Sequence, residues 1–226
     1  MLLIDVTGLT IDLGPGTNTV TLAAGTNSLD GLYNINQING SSTDDVLTLT
    51  QQSFGTIDMG GGNDTVNFVG TAGTVIVVNA ETVNGSIGND FIAIGNTSGT
   101  TMVTGGMGAD NITASVAADN FNFNSAAESQ TGNGDTVVSF NAANDAFVFT
   151  NMTGPNGFTG PIHFVGTGGF DGTAGSLHSD ARVDGPGANA TLQIDVNGDG
   201  QFGSGDMEIH LVNYTGTLTD ANFLLH

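Results

Sequence analysis

The chain of 226 residues contains no cysteine, no tryptophan and no lysine, and its one arginine is Arg182. Without cysteine there can be neither a disulfide framework nor a thiolate metal site, so the chain must be restrained in some other way. One cation against 22 acidic side chains gives a formal net charge of −21. Such a chain has nothing with which to neutralise phosphates, which excludes nucleic acid and an anionic membrane surface as direct partners. No apolar run reaches the length of a membrane-spanning helix, so membrane insertion is not expected. The opening Met-Leu-Leu-Ile-Asp lacks a basic region, a long apolar region and a cleavage motif, and no cleaved N-terminal export signal is expected.

What is abundant is glycine, 36 residues, and aspartate, 19 against only three glutamates (Glu81, Glu128 and Glu208). A surface charged for solubility would use both acids. The shorter one caps turns and ligates hard cations from within a loop, so the bias points to carboxylates used structurally. The stretch from Gly105 to Thr113, GGMGADNIT, gives this a concrete form. It matches the nonapeptide G-G-x-G-x-D-x-U-x, U being a large apolar residue, that binds calcium in a parallel β-roll. Gly105, Gly106 and Gly108 permit a tight turn with inward-facing carbonyls, Asp110 supplies a carboxylate and Ile112 points to the core. The next nine residues keep the aspartate as Asp119 and the apolar residue as Phe121 but lose the glycines.

A longer repeat runs through the first two thirds of the chain. Asn18, Asp45, Asp64, Asp90, Asp110 and Asp135 each precede a short apolar segment, with successive spacings of 27, 19, 26, 20 and 25 and spacings two apart of 46, 45, 46 and 45. The flanks repeat too: LTIDLGPGTNTVTL resembles GTIDMGGGNDTVNF, and INGSSTDDVLTL resembles VNGSIGNDFIAI. Repetition of this kind predicts a solenoid rather than a globular core. TVTL, VLTL, TVNF, TVIVV, FIAI, TVVSF and AFVF are β-branched or aromatic and bounded by Gly, Asn and Asp, hence strands; no sustained 3.6-residue period calls for helix. Spacings of 19 to 20 fit one coil of two nonapeptides, and spacings of 25 to 27 are read as coils carrying a loop of about seven extra residues. Aspartates one coil apart then stack on one edge and repel unless a cation lies between them. Asp45 with Asp64 (and Gly62), and Asp90 with Asp110 (and Gly88), are therefore candidate calcium pairs, with Asp135 next in line. An Asx-turn without metal is the competing reading at Asn18 and Asp45.

A second calcium signal lies at DVNGDGQFGSGD, 195–206. Asp195, Asn197 and Asp199 hold positions 1, 3 and 5 of an EF-hand-type loop, with Gly200 at 6, Gln201 at 7 and Asp206 at 12. Asp206 replaces the usual bidentate Glu, and strands rather than helices are expected on both sides, so weaker affinity follows. An Asn-Gly/Asp-Gly hairpin turn is the alternative.

From about Gly105 onward the chain resembles the C-terminal RTX (repeats-in-toxin) region of type I-secreted proteins, including the C-terminal domains of serralysin-type proteases. The residues that carry the resemblance are GGMGADNIT, then DNFNFNSAAESQTGNGDTVVSFNAANDAFVF at 119–149, FDGTAGSL at 170–177, ATLQIDVNGDG at 190–200 and LTDANFLLH at 218–226. The N-terminal half is similar only to degenerate repeats of large secreted adhesins and surface-layer proteins. The resemblance implies an all-β fold: a parallel β-roll or β-solenoid with calcium-binding Gly-Asp turns and a C-terminal β-rich cap. It also implies an uncleaved secretion signal ending in Phe223, Leu224 and Leu225, and a location outside, or on the surface of, a Gram-negative bacterium. Three regions are expected: a degenerate-repeat solenoid over 1–104, the RTX roll over 105–150, and a cap with the EF-hand-like loop and the signal over 151–226. Export by type I secretion machinery acting on the C-terminus is the expected partner interaction. Calcium-assisted self-assembly, as in a surface-layer or adhesin subunit, or a cell-surface polysaccharide ligand, is the alternative. No enzyme is expected: the four histidines, His163, His178, His210 and His226, do not form HExxH, and neither GxSxG nor a phosphate-binding P-loop occurs.

Overall fold

A computed structural model describes residues 2–3, 8–50, 55–70, 74–150, 162–170, 179–185 and 187–225. His178, His226 and all of FDGTAGSL after Phe170 lie outside the described residues. The chain winds between two parallel sheets. One contains β1 (Leu2–Leu3), β3 (Thr19–Leu22), β5 (Gln37–Asn39), β7 (Gly55–Asp58), β9 (Thr74–Val78), β11 (Phe91–Ile94), β13 (Asn111–Thr113) and β15 (Asp135–Val138). The other contains β2 (Leu9–Asp12), β4 (Gly25–Tyr33), β6 (Asp45–Leu49), β8 (Thr65–Phe68), β10 (Thr82–Asn84), β12 (Thr100–Thr104), β14 (Ala118–Phe123) and β16 (Ala146–Phe149). Successive strands alternate sheets, each pairing in parallel with the strand two earlier. This is the expected β-solenoid, and helix is confined, among the described residues, to two 3-10 turns at Ala126–Ser129 and Asp220–Asn222.

Period-2 alternation turns every second side chain into the narrow space between the sheets. Leu47, Val66, Val83, Val103, Phe121 and Phe147 occupy one register position on successive coils, and Val75, Ile92, Ile112 and Val137 do so opposite. All are buried. The small aliphatic residues of the early coils give way to phenylalanines: Phe140 stacks on Phe147 at 4.5 Å between ring centroids, and Phe123 stacks on Phe149 at 5.7 Å.

The C-terminal part adds strands and then rejoins the roll. β17 (Ile162–Phe164), β18 (Ser179–Asp184) and β19 (Ala190–Asp195) extend the first sheet, with β18–β19 antiparallel. β20 (Met207–Val212) is antiparallel to β19 but parallel to β15, and β21 (Phe223–Leu225) is parallel to β16. Residues 207–225 thus form the last coil, closed over an excursion that leaves the roll after Phe149. Phe223 packs on Phe147 at 6.0 Å and on Phe164 at 5.6 Å, tying that coil to both the roll and the excursion.

Candidate metal centre

The acidic side chains gather on the two edges where the chain crosses between sheets. Asp45, Asp64, Glu81, Thr101, Asp119 and Asp145 follow one another in register on the first edge, where an odd-numbered strand leads to the next even one. Asp90, Asp110 and Asp135 follow one another on the opposite edge, which Asn18 and Asn36 begin. The six-position series seen in the sequence therefore divides. The steps from Asn18 to Asp45 and from Asp64 to Asp90 are not long coils; each is about a coil and a half that changes edge. Only the step of 25 from Asp110 to Asp135 is a coil with an inserted loop, the one holding the Ala126–Ser129 turn.

Along each edge one carboxylate oxygen accepts the backbone N–H of the aspartate one coil earlier. Asp64 Oδ1 accepts from Asp45 at 2.7 Å, Asp110 Oδ1 from Asp90 at 2.7 Å, Asp135 Oδ1 from Asp110 at 2.8 Å and Asp145 Oδ1 from Asp119 at 3.0 Å. Glu81 Oε2 accepts from Asp64 at 2.6 Å. The other oxygen divides the turns into two kinds. Asp45, Asp90, Asp119 and Asp145 use it to accept the N–H of the residue four earlier, Ser41, Ser86, Ser115 or Asn141, at 2.5–2.7 Å. In Asp64, Asp110 and Asp135 the Oδ2 atom is buried and accepts no hydrogen bond. Asp119 Oδ1 is also buried without a partner, Thr101 standing at the position one coil before it where Asp64, Asp110, Asp135 and Asp145 have an aspartate.

A buried carboxylate oxygen without a donor is costly unless a proton or a cation neutralises it. Burial accordingly pushes the carboxyl of Asp110 up to about 7 and that of Asp135 up to about 8, each raised further by the other acids beside it, Asp90 and Glu128 for the first, Asp110 and Glu128 for the second. Asp64 is raised for the same reason, with Asp45, Glu81 and Asp44 adding repulsion. Burial also lifts Asp145 to about 6 and raises Asp90, Asp119 and Glu128.

Only glycine lets the turns approach these oxygens and the carbonyls of the neighbouring coil so closely. A Cβ on Gly105 would overlap Asp110 Oδ2, and one on Gly106 would overlap the Ser86 carbonyl; Gly106 has φ +99° and Gly108 φ +135°. Gly62, φ +137°, lies as closely over Thr43 and Asp44, and Gly88 lies under Gly108 in the same stack. Among the described residues no three acidic or histidine side chains converge closely enough to hold a cation unaided. A calcium ion here would take backbone carbonyls together with one or two carboxylates, the oxygen-only donor set that calcium prefers. The donors present fit it.

The loop at 195–206 joins the antiparallel strands β19 and β20. Asp195 Oδ1 accepts the N–H of Gly198 and Oδ2 that of Gly200, each at 2.7 Å. Asn197 Oδ1 accepts from Asp199 at 2.9 Å and Asp199 Oδ1 from Gln201 at 2.8 Å. Asp206, fully buried, closes the ring by accepting from Val196 at 3.1 Å and Gly203 at 2.8 Å. Burial raises the carboxyls of both Asp195 and Asp206. The side chains at positions 1, 3, 5 and 12 of the loop are thus engaged with backbone amides of the loop itself, on a hairpin rather than between helices, and among the described residues its aspartates do not converge as a three-carboxylate cation site.

Four acidic participants escape a sequence search for Gly-Asp turns. Glu81 ends a turn without glycine, Asp145 follows NAAN, and Glu128, accepting from Asn124 at 3.0 Å, sits on the inserted 3-10 turn. Asp180, on β18, lies 3.5 Å from His163 Nδ1. The signal that could have found the first two is their position one coil from a known aspartate. His163 lies on β17 and His210 on β20, the latter 3.4 Å from Thr191 Oγ1.

A two-sheeted parallel roll with carboxylates stacked beside glycine turns defines a β-roll repeat protein of the RTX type. Residues 19–224 match the family described as Peptidase M10 serralysin C terminal, and the chain belongs to that family. Comparison with curated proteins gives no match. The match is to the repeat-bearing C-terminal region of serralysin, not to its catalytic part. Among the described residues no helix is long and apolar enough to cross a membrane.

Proposed function

We propose that this chain is a calcium-dependent folding and type I secretion module of an extracellular RTX protein. The observation that carries the proposal is the set of buried, unpartnered oxygens on Asp64, Asp110 and Asp135. With submicromolar calcium and a net charge of −21, those carboxylates oppose compaction and the chain stays extended enough to thread an exporter. Outside the cell, calcium neutralises them and the roll closes. Each site filled at tenfold excess over its Kd adds about 1.4 kcal/mol to the folded state, so a few weak sites decide the equilibrium.

The C-terminus supports the same order of events. Phe223 is buried in the last coil against Phe147 and Phe164, so an exporter that reads Phe223, Leu224 and Leu225 must meet them before that coil forms. The test is circular dichroism across a calcium titration from chelator to about 10 mM, a span that covers extracellular-module affinities. A cooperative coil-to-β transition is expected. Full β-structure in chelator, with unchanged resistance to urea, overturns the proposal.

A further inference from the structure

We infer that in the stacked turns of Asp45, Asp64, Asp90 and Asp110 the residue four before the aspartate decides whether that turn takes calcium: glycine leaves the carboxylate open to the ion, whereas serine closes it with its own backbone amide. Asp135 is opened in another way, since Thr131 stands four before it and donates its N–H to the Asp206 carbonyl at 3.1 Å. The inference rests on the calcium reading above and goes beyond it, because it assigns some RTX-like turns of this chain to a metal-free state.

Each edge carries one matched pair. On the first, the turn of Asp45 stacks on that of Asp64; on the second, the turn of Asp90 stacks on that of Asp110. The four residues before Asp45 and Asp90 begin with Ser41 and Ser86, neither of which has positive φ. Their N–H groups donate to Asp45 Oδ2 at 2.7 Å and Asp90 Oδ2 at 2.5 Å. Each serine hydroxyl also accepts the N–H two residues on, Thr43 or Gly88, at 3.2 Å, which fixes the turn. The corresponding residues before Asp64 and Asp110 are Gly60, φ +93°, and Gly106, φ +99°. In that left-handed conformation the amide is turned away from the aspartate; the Gly60 N–H donates instead to Asp58 Oδ1 at 3.2 Å. Asp64 and Asp110, each 1% exposed, are left with an Oδ2 that no protein donor reaches. Ser115 before Asp119 and Asn141 before Asp145 repeat the closed geometry. The closed turn therefore gives Oδ2 an amide where the open one leaves it to a cation, although at Asp119 the other oxygen, Oδ1, stays buried without a donor.

Ser86 offers the sharpest test. Residues 85–93 read GSIGNDFIA, so Ser86→Gly alone completes the G-G-x-G-x-D-x-U-x pattern. The full chain would be titrated with calcium chloride and the bound ions counted by calorimetry and native mass spectrometry. The expected result is one ion fewer for Asp110→Asn and for Asp64→Asn, no change for Asp90→Asn and Asp45→Asn, and one ion more for Ser86→Gly. The inference is overturned if Asp90→Asn loses an ion as Asp110→Asn does, or if folded Ser86→Gly binds the wild-type number. Should Asp110→Asn fail to fold, Ser86→Gly and Asp90→Asn still decide. A wild-type chain that binds no calcium overturns the underlying calcium reading, an outcome distinct from equal losses at both kinds of turn.

Discussion

Protons should be able to replace calcium. Unfolded aspartate titrates near 3.8, whereas in the folded, metal-free chain burial holds Asp110 at about 7 and Asp135 at about 8. Between those limits the folded state binds more protons than the unfolded one. Its extra stability is complete below about pH 4 and is lost as the pH rises through 7 to 8. At about 1.4 kcal/mol per unit, the shifts of roughly three and four units correspond to about 4 and 6 kcal/mol taken singly. Between pH 8 and pH 5 only about two of those three units and under three of the four are realised, and the two carboxyls are neighbours that share their protonation, so about half the sum, roughly 3 kcal/mol, is the expected gain over that range. The assay is urea unfolding by circular dichroism on calcium-free protein at pH 8, 6.5 and 5, where acid should restore β-structure and raise the midpoint. Saturating calcium should abolish the gain, since calcium needs the deprotonated carboxylates and binds less well as the pH falls. Asp135→Asn, which removes one of the two titrating groups, should take a large share of the acid rescue with it. A calcium-free chain no more stable at pH 5 than at pH 8 refutes the assignment of strain to these buried oxygens.

Two further perturbations test the scaffold. Phe147, fully buried and stacked on Phe140 at 4.5 Å, is the centre of the aromatic end of the roll, and Phe147→Ala should cost about 3–5 kcal/mol in urea unfolding at saturating calcium. Gly106→Ala forces a side chain into φ +99° and against the Ser86 carbonyl, so the loss should exceed about 1 kcal/mol and be visible as a lower urea midpoint in calcium.

The strands and the roll were legible because their code is local. Short β-branched runs between Gly, Asn and Asp announce edges and inward faces wherever they occur, and GGMGADNIT names its own turn. The assignment of turns to edges was not legible, because a spacing of 25 to 27 can be one coil with an insertion or a coil and a half. Asp110 to Asp135 is the first and Asp64 to Asp90 the second; only the pairing of strands separates them. The last coil was hidden for a different reason: β15 and β20 are neighbours in the sheet but far apart in sequence, and the excursion between them has no internal repeat to point back. At the candidate site, sequence located the aspartates but not what their second oxygens do. That depends on whether the amide four residues earlier points inward, a property of φ at Ser86 or Gly106 that a tally of acidic residues does not contain.

Register on these edges does not require charge. The neutral Oδ1 of Asn36 accepts the Asn18 N–H at 2.7 Å, and that of Asn96 accepts the Asn79 N–H at 2.5 Å. The Asn96 amide in turn donates to the Ala80 carbonyl and to Thr101 Oγ1, so the break in the acidic ladder at Thr101 is filled by a neutral network. An asparagine therefore does the aspartate's work of accepting the amide of the coil before, and thereby fixes which residues face the core. The charge on Asp64, Asp110 and Asp135 is surplus to that work, and without a cation it opposes the very stacking it decorates. Replacing all three by asparagine should consequently free the fold from calcium. The triple variant is expected to show β-structure in chelator at pH 8, with a urea midpoint that no longer responds to calcium at these turns. If it remains a coil in chelator, the hydrogen-bonding geometry of the carboxylates, rather than their charge, is what makes folding conditional.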